Sequence, residues 1–173
     1  PSIDPVFEEF AQKTNAISLA NTGITTALEF KDGKLMLGNT RSLEDIDFQR
    51  IIEVVGEGAF IDMLAKAKIV SIVNWTMIPK MTSILLEIVE RIMPNLPPAD
   101  TRNFFFDLTD PAKRSTEDLR EVLQVISRYQ AHAEVTLGLN YNESLQVCQT
   151  LGLQEGDKDK DSLCRIAPDI RRK

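Results

Sequence analysis

The stretch Asn103-Phe104-Phe105-Phe106-Asp107-Leu108-Thr109-Asp110-Pro111-Ala112-Lys113-Arg114-Ser115-Thr116-Glu117-Asp118-Leu119 decides the fold class. Phe104-Phe105-Phe106 is an apolar run of strand length without polar alternation, the pattern of a strand covered on both faces. Asp107 to Arg114 is a polar connection. Ser115 to Gln130 is the clearest helix: Ser115 is its N-cap, Glu117 and Asp118 sit at the positive end of the dipole, and Leu119, Val122, Leu123 and Ile126 form one face. The same alternation recurs on either side. Ile69-Val70-Ser71-Ile72-Val73 is a β-branched run, and the helix after Pro79 carries Ile84, Leu85, Ile88, Val89 and Ile92 and stops before Pro94, Pro97 and Pro98. Val135 to Leu139 is a third strand, followed by a helix holding Leu145, Cys148 and Leu151. Buried strands alternating with helices predict an α/β fold, a parallel sheet with helices on both faces, forming one domain over residues 1–173.

Towards the N-terminus the pattern differs. Val6, Phe7, Phe10 and Ala11 recur at helical spacing after Asp4-Pro5, giving a short amphipathic helix. Ile24, Thr26, Leu28 and Phe30 alternate with Thr25, Ala27 and Glu29, and Asp32-Gly33 separates this run from Leu35-Met36-Leu37. Asp-Gly supplies the positive-φ pair of a two-residue turn, so residues 22–39 read as a β-hairpin. Phe48, Ile51, Ile52 and Val55 give a helical face, and a second helix runs from Glu57 to Ala67. At the other end, Glu155 to Asp161 is a solvated loop of alternating charge, before a last helix from Ser162 to Arg172.

Composition limits the function. The chain has 173 residues, a net charge of 20 − 26 = −6 and 43% hydrophobic residues, normal for a soluble globular domain. With a sequence pI near 4.9 and no basic stripe, neither a nucleic-acid backbone nor an anionic membrane is an expected partner. Cys148 and Cys164 form no Cys-x-x-Cys pair and His132 is the one histidine, which disfavours zinc sites and suits a reducing compartment. No apolar run is long enough to span a bilayer, and no basic segment followed by an apolar run opens the chain, so a cytoplasmic location is expected. The first residue is Pro1, which suits a chain that begins inside a longer one.

In parallel α/β sheets, ligands bind in the crevice at the carboxyl ends of the strands. Three polar clusters fall there: Asn74-Trp75-Thr76, Asp107 to Arg114, and Asn140 to Glu143. Asn140-Tyr141-Asn142-Glu143 has the spacing of a capping box, and an amide and carboxylate at such a junction can also hold a hydrated Mg²⁺. By the capping reading alone, Glu143→Gln costs less than about 1 kcal/mol. Asp110-Pro111-Ala112-Lys113-Arg114 sets an acid and two bases before a helix N-terminus, suited to hydroxyl and phosphate groups or to a solvated turn. Trp75 reads as packing or as a platform for a ring. There is no G-x-x-x-x-G-K-[ST] loop and no G-x-G-x-x-G.

In order and spacing these segments resemble the ribokinase-like (phosphofructokinase-B type) carbohydrate kinases. The matching segments are Thr22-Gly23-Ile24-Thr25-Thr26-Ala27-Leu28-Glu29-Phe30 with its Asp-Gly turn, the strand into Asn74-Trp75, Phe106 to Arg114, and Leu137-Gly138-Leu139-Asn140-Tyr141-Asn142-Glu143. The resemblance implies a transferase that phosphorylates a sugar or sugar-like hydroxyl with ATP and Mg²⁺. It places the hairpin as a lid over the sugar and a homodimer contact, Asn140 and Glu143 at the phosphate and metal, with Glu143 reaching the metal through water, and Asn74, Asp110 and Arg114 on the substrate side. Ala112 stands where the family carries Asn in a D-P-N-x-R segment. The family's Gly-Ala-Gly-Asp segment, with its anion-hole amides and catalytic Asp, does not occur in the 173 residues, so the resemblance covers the middle portion of a kinase and the isolated chain is expected to be inactive. The alternative from another class is a non-catalytic α/β ligand-binding or self-association domain.

Overall fold

The computed structural model describes residues 3–97, 102–153 and 160–172. Helix α1 (Glu8–Lys13) leads to strands β1 (Ile24–Phe30) and β2 (Gly33–Asn39), then to helices α2 (Phe48–Val55) and α3 (Glu57–Lys66). From there strands and helices alternate: β3 (Ile69–Val73), α4 (Met81–Glu87), β4 (Asn103–Asp107), α5 (Thr116–Arg128), β5 (Glu134–Gly138), α6 (Tyr141–Leu151) and α7 (Lys160–Arg172). Lys160 and Asp161 thus open α7 instead of ending a charged loop, and Glu155 to Asp159 lie outside the described residues.

The helix ends follow their local chemistry. The Asp47 carboxylate accepts from the Arg50 amide to start α2, which stops where Gly56 takes φ 83°. Ser115 accepts from the Asp118 amide at the start of α5. Gly152, at φ 66°, closes α6 in the left-handed conformation that costs glycine least. Helix α4 continues into a π-helical turn, Ile88–Ile92, and Ile88, Val89, Ile92 and Met93 are all buried there.

The hairpin is antiparallel, with Ile24 opposite Asn39, Thr26 opposite Leu37, Leu28 opposite Leu35 and Phe30 opposite Gly33. This register corrects the turn: Lys31 and Asp32 make the connection, Gly33 is the first residue of β2, and none of the three has positive φ. The alternation holds, so Ile24, Leu28, Phe30, Leu35 and Leu37 share one face, and every residue of both strands is exposed.

The second sheet is parallel, in the order β3-β4-β5. The expected α/β class with a separate hairpin is therefore present. Crossovers from strand to parallel strand are right-handed, and two successive ones stepping in the same direction carry α4 and α5 to the same face. That face holds the core: Phe104 and Phe106 pack on Tyr129, with ring centroids 4.9 and 5.2 Å apart, and the Tyr129 hydroxyl donates to the Leu85 carbonyl at 2.8 Å. Burial of that hydroxyl raises its pKa far above the ordinary tyrosine value. The cover is unequal, since Ile69, Ser71 and Val73 on the opposite side of β3 are exposed. Among the described residues no helix is long and apolar enough to cross a membrane.

Candidate functional site

Register sets the three polar clusters side by side. Val73 pairs with Asp107 and Asp107 with Gly138, so Asn74, Leu108 and Leu139 leave the sheet as neighbours at its carboxyl end. Adjacent strands lie about 4.8 Å apart, so all three connections can face one ligand.

The first connection is held to the second. The Asn74 amide donates to the Asp107 carbonyl at 3.1 Å, and the amide and hydroxyl of buried Thr76 both donate to the Leu108 carbonyl, at 3.1 and 2.8 Å. Asn74 itself is left-handed, φ 67° and ψ 42°, and its Oδ1 is buried with no hydrogen-bond partner among the described residues. A buried acceptor without a donor costs about 1–3 kcal/mol, an expense consistent with a ligand position.

Arg114 closes the same connection from above. Its Nε donates to the Thr76 carbonyl at 3.2 Å, Nη1 to Pro79 at 3.1 Å, and Nη2 to Trp75 at 2.9 Å and Ile78 at 2.5 Å. The guanidinium lies 4.4 Å from the centroid of the Trp75 ring. Partial burial lowers the Arg114 pKa from its usual value, with Asp118 acting in the opposite direction. Trp75 is buried, donates through Nε1 to the Thr82 hydroxyl at 2.8 Å, and is a packing residue under Arg114.

The second connection is strained and tied to the third. Thr109 and Asp110 both have φ 58°, a conformation costly for a β-branched residue and seen where surroundings over-determine it. The Asp107 carboxylate accepts from the Thr109 amide and hydroxyl at 2.9 and 3.1 Å, and Glu143 Oε1 accepts from the Asp110 amide at 3.0 Å. The Asp110 carboxylate is exposed and pairs with Lys113 at 3.3 Å.

At the third connection the capping box is complete: Asn140 Oδ1 accepts from the Glu143 amide at 3.1 Å, and Glu143 Oε2 accepts from the Asn140 amide at 2.8 Å. Glu143 is 7% exposed. Each carboxylate oxygen is thus engaged by one backbone N–H, leaving lone pairs for a water but little access for a directly bound ion. No group of three or more His, Cys, Asp or Glu able to hold a metal occurs among the described residues. The one capacity left to this carboxylate towards an ion is to accept from a water, since both oxygens already serve backbone N–H groups.

Of the sequence-derived candidates, Asn74, Asp110, Arg114, Asn140 and Glu143 all fall on this edge. Arg114 has four donor contacts to main-chain carbonyls, and Glu143 also joins two connections. Thr76, Asp107 and Thr109, which the sequence placed in the polar clusters without a role of their own, complete the network: Thr76 bonds to a main-chain carbonyl, and Asp107 and Thr109 bond to each other. Tyr141, inside the third cluster, has a buried hydroxyl that lacks a partner among the described residues.

Residues 1–169 match the prokaryotic ketohexokinase family. The chain belongs to that family. It is 26% identical over 163 residues to a ketohexokinase of Haloferax volcanii, an alignment covering 92% of this chain and 43% of that protein. The chain thus spans less than half the length of this relative, and the match agrees with a partial ribokinase-like sugar kinase. No solved structure matches the chain.

Proposed function

We propose that the chain is the middle portion of an ATP-dependent carbohydrate kinase that transfers a phosphoryl group to a sugar hydroxyl, with ketohexoses, the class named in its relatives, as the substrates. Residues 1–173 form one α/β domain, and the hairpin 22–39 is its lid and the contact of a homodimer. The observation that carries this reading is the carboxyl edge of the sheet, where three connections are bonded to one another and Asn74 presents an oxygen without a partner among the described residues.

Asn74 Oδ1 accepts a sugar hydroxyl, and the exposed Asp110 carboxylate offers a second acceptor on the substrate side. Asn140 and Glu143 hold the neighbouring connection on the phosphate side, where Glu143 would reach a Mg²⁺ only through a water. When bound, Mg²⁺ offsets charge on the transferring phosphate. Lys113, beside Asp110, adds positive charge to the same edge. The catalytic base and anion hole are supplied by a Gly-Ala-Gly-Asp segment in a longer protein.

The test is sugar-dependent ADP release with ATP, Mg²⁺ and a panel of ketohexoses, aldohexoses, pentoses and nucleosides. The longer protein should turn over a sugar, and the 173-residue chain should give no release above a no-enzyme control. Release by the chain would show that its site is complete. No release by the longer protein would favour the second reading, a self-association domain, for which the exposed apolar face of the hairpin speaks.

A further inference from the structure

We propose that Arg114 is a positioning residue that touches no substrate: it clamps residues 75–79 and thereby fixes the left-handed Asn74 at the carboxyl end of β3. The second half of this statement rests on the sugar-kinase reading, and the first half does not.

The geometry is that of a dedicated clamp. A guanidinium carries five N–H donors in a rigid planar fork. Arg114 places its bonds on the carbonyls of Trp75, Thr76, Ile78 and Pro79, all belonging to one connection. No salt bridge to Arg114 occurs among the described residues; Asp118 acts on it from a greater distance, and the groups in contact with its charge are the four carbonyls and the Trp75 ring. Carbonyls that converge on one point repel one another unless a cation sits between them. Without the guanidinium the connection would open, and the residue at its entrance has the most to lose. Asn74 is held at positive φ by its neighbours: its amide is bonded to Asp107, and Thr76 is bonded twice to Leu108. Those bonds fix where the chain leaves the sheet and Arg114 fixes its return over residues 75–79; without the clamp the left-handed turn is held from one side only, and the Asn74 carboxamide is no longer kept in one place.

Lysine keeps the charge but has one compact, strongly hydrated ammonium, which cannot span four carbonyls. Arg114→Lys therefore separates the fork from the charge, and Trp75, the one tryptophan of the sequence, reports on the clamp directly.

In the 173-residue chain, Arg114→Lys should at least double the acrylamide quenching constant of Trp75. It should also speed amide exchange at residues 74–78 and 80 at least tenfold over that of α5 and α6. In the longer protein it should raise the sugar KM at least tenfold while the nucleotide KM stays within twofold. If the arginine were purely stabilising, Arg114→Lys would lower Tm and leave both KM values of the folded enzyme unchanged. If Arg114→Lys fails to fold, Pro79→Gly loosens the same connection at an exposed residue and should shift the sugar KM in the same direction. A shielded Trp75 with slow exchange at 74–78 and 80 would overturn the clamp. An opened connection with an unchanged sugar KM in an active enzyme would overturn the positioning role and leave the kinase reading standing. A wild-type longer protein without sugar-dependent turnover would overturn the kinase reading and the positioning role with it, and the quenching and exchange results would still decide the clamp.

Discussion

Glu143 shows how a single side chain can look local in sequence and act across the fold. The Asn-x-x-Glu spacing announces a capping box, and the capping box is present. The sequence did not announce the second bond, from the Asp110 amide, whose donor is 33 residues away in the chain. Because one oxygen serves each amide, glutamine cannot replace the carboxylate: its NH₂ would confront one of the two N–H groups. Glu143→Gln should therefore destabilise the chain by about 1–3 kcal/mol, more than a cap alone implies. At this chain length that lowers Tm by roughly 2–4 °C per kcal/mol in a thermal melt. An unchanged Tm would mean that the Asp110 amide is not held by this carboxylate. Arg114 was legible as a candidate and illegible as a clamp for the same reason, since the four carbonyls it binds are 35 to 39 residues distant and carbonyls leave no mark on sequence.

Among the elements, the strands of the parallel sheet and the helices between them were legible because burial dictates apolar runs and capping dictates their ends. The hairpin strands were legible as well, but their turn was not. Asp32-Gly33 has the composition of a positive-φ pair, yet the pairing of Phe30 with Gly33 moves the connection back by one residue, to Lys31-Asp32. In a ribbon exposed on both faces no core penalises a slip of this kind, so register is weakly specified by pattern alone. An isolated two-stranded ribbon is marginal in water, and here Ile24, Leu28, Phe30, Leu35 and Leu37 lie together on one exposed face. Leu28→Asp, in the middle of that face, should convert a self-associated species to monomer in sedimentation velocity while the far-ultraviolet spectrum and Tm of the helical part hold. An unchanged sedimentation mass would remove the ribbon as an interface.

At the scale of the molecule, what composition and pattern could not convey is which side of the sheet is covered. That depends on strand order. Because β3, β4 and β5 follow one another in a single direction, right-handed crossovers put α4 and α5 on the side of Phe104 and Phe106, where both rings are fully buried. Ile69 and Val73, in a run as apolar as any in the chain, remain 67% and 53% exposed. Two sets of apolar residues on one sheet should then differ sharply in energetic weight. Phe106→Ala removes a ring packed against Tyr129 and should cost about 3–5 kcal/mol, as for other buried phenylalanines. Ile69→Thr and Val73→Thr keep the β-branched shape that suits a strand and lose no packing, so each should stay within about 0.5 kcal/mol of wild type. Urea unfolding of the 173-residue chain, read from midpoints at constant slope, measures both. A cost for Ile69→Thr comparable with that of Phe106→Ala would show that this face is covered in solution. In a longer protein whose added layer packs on the same side, the Ile69 cost should rise towards that of a core residue while the Phe106 cost stays where it is.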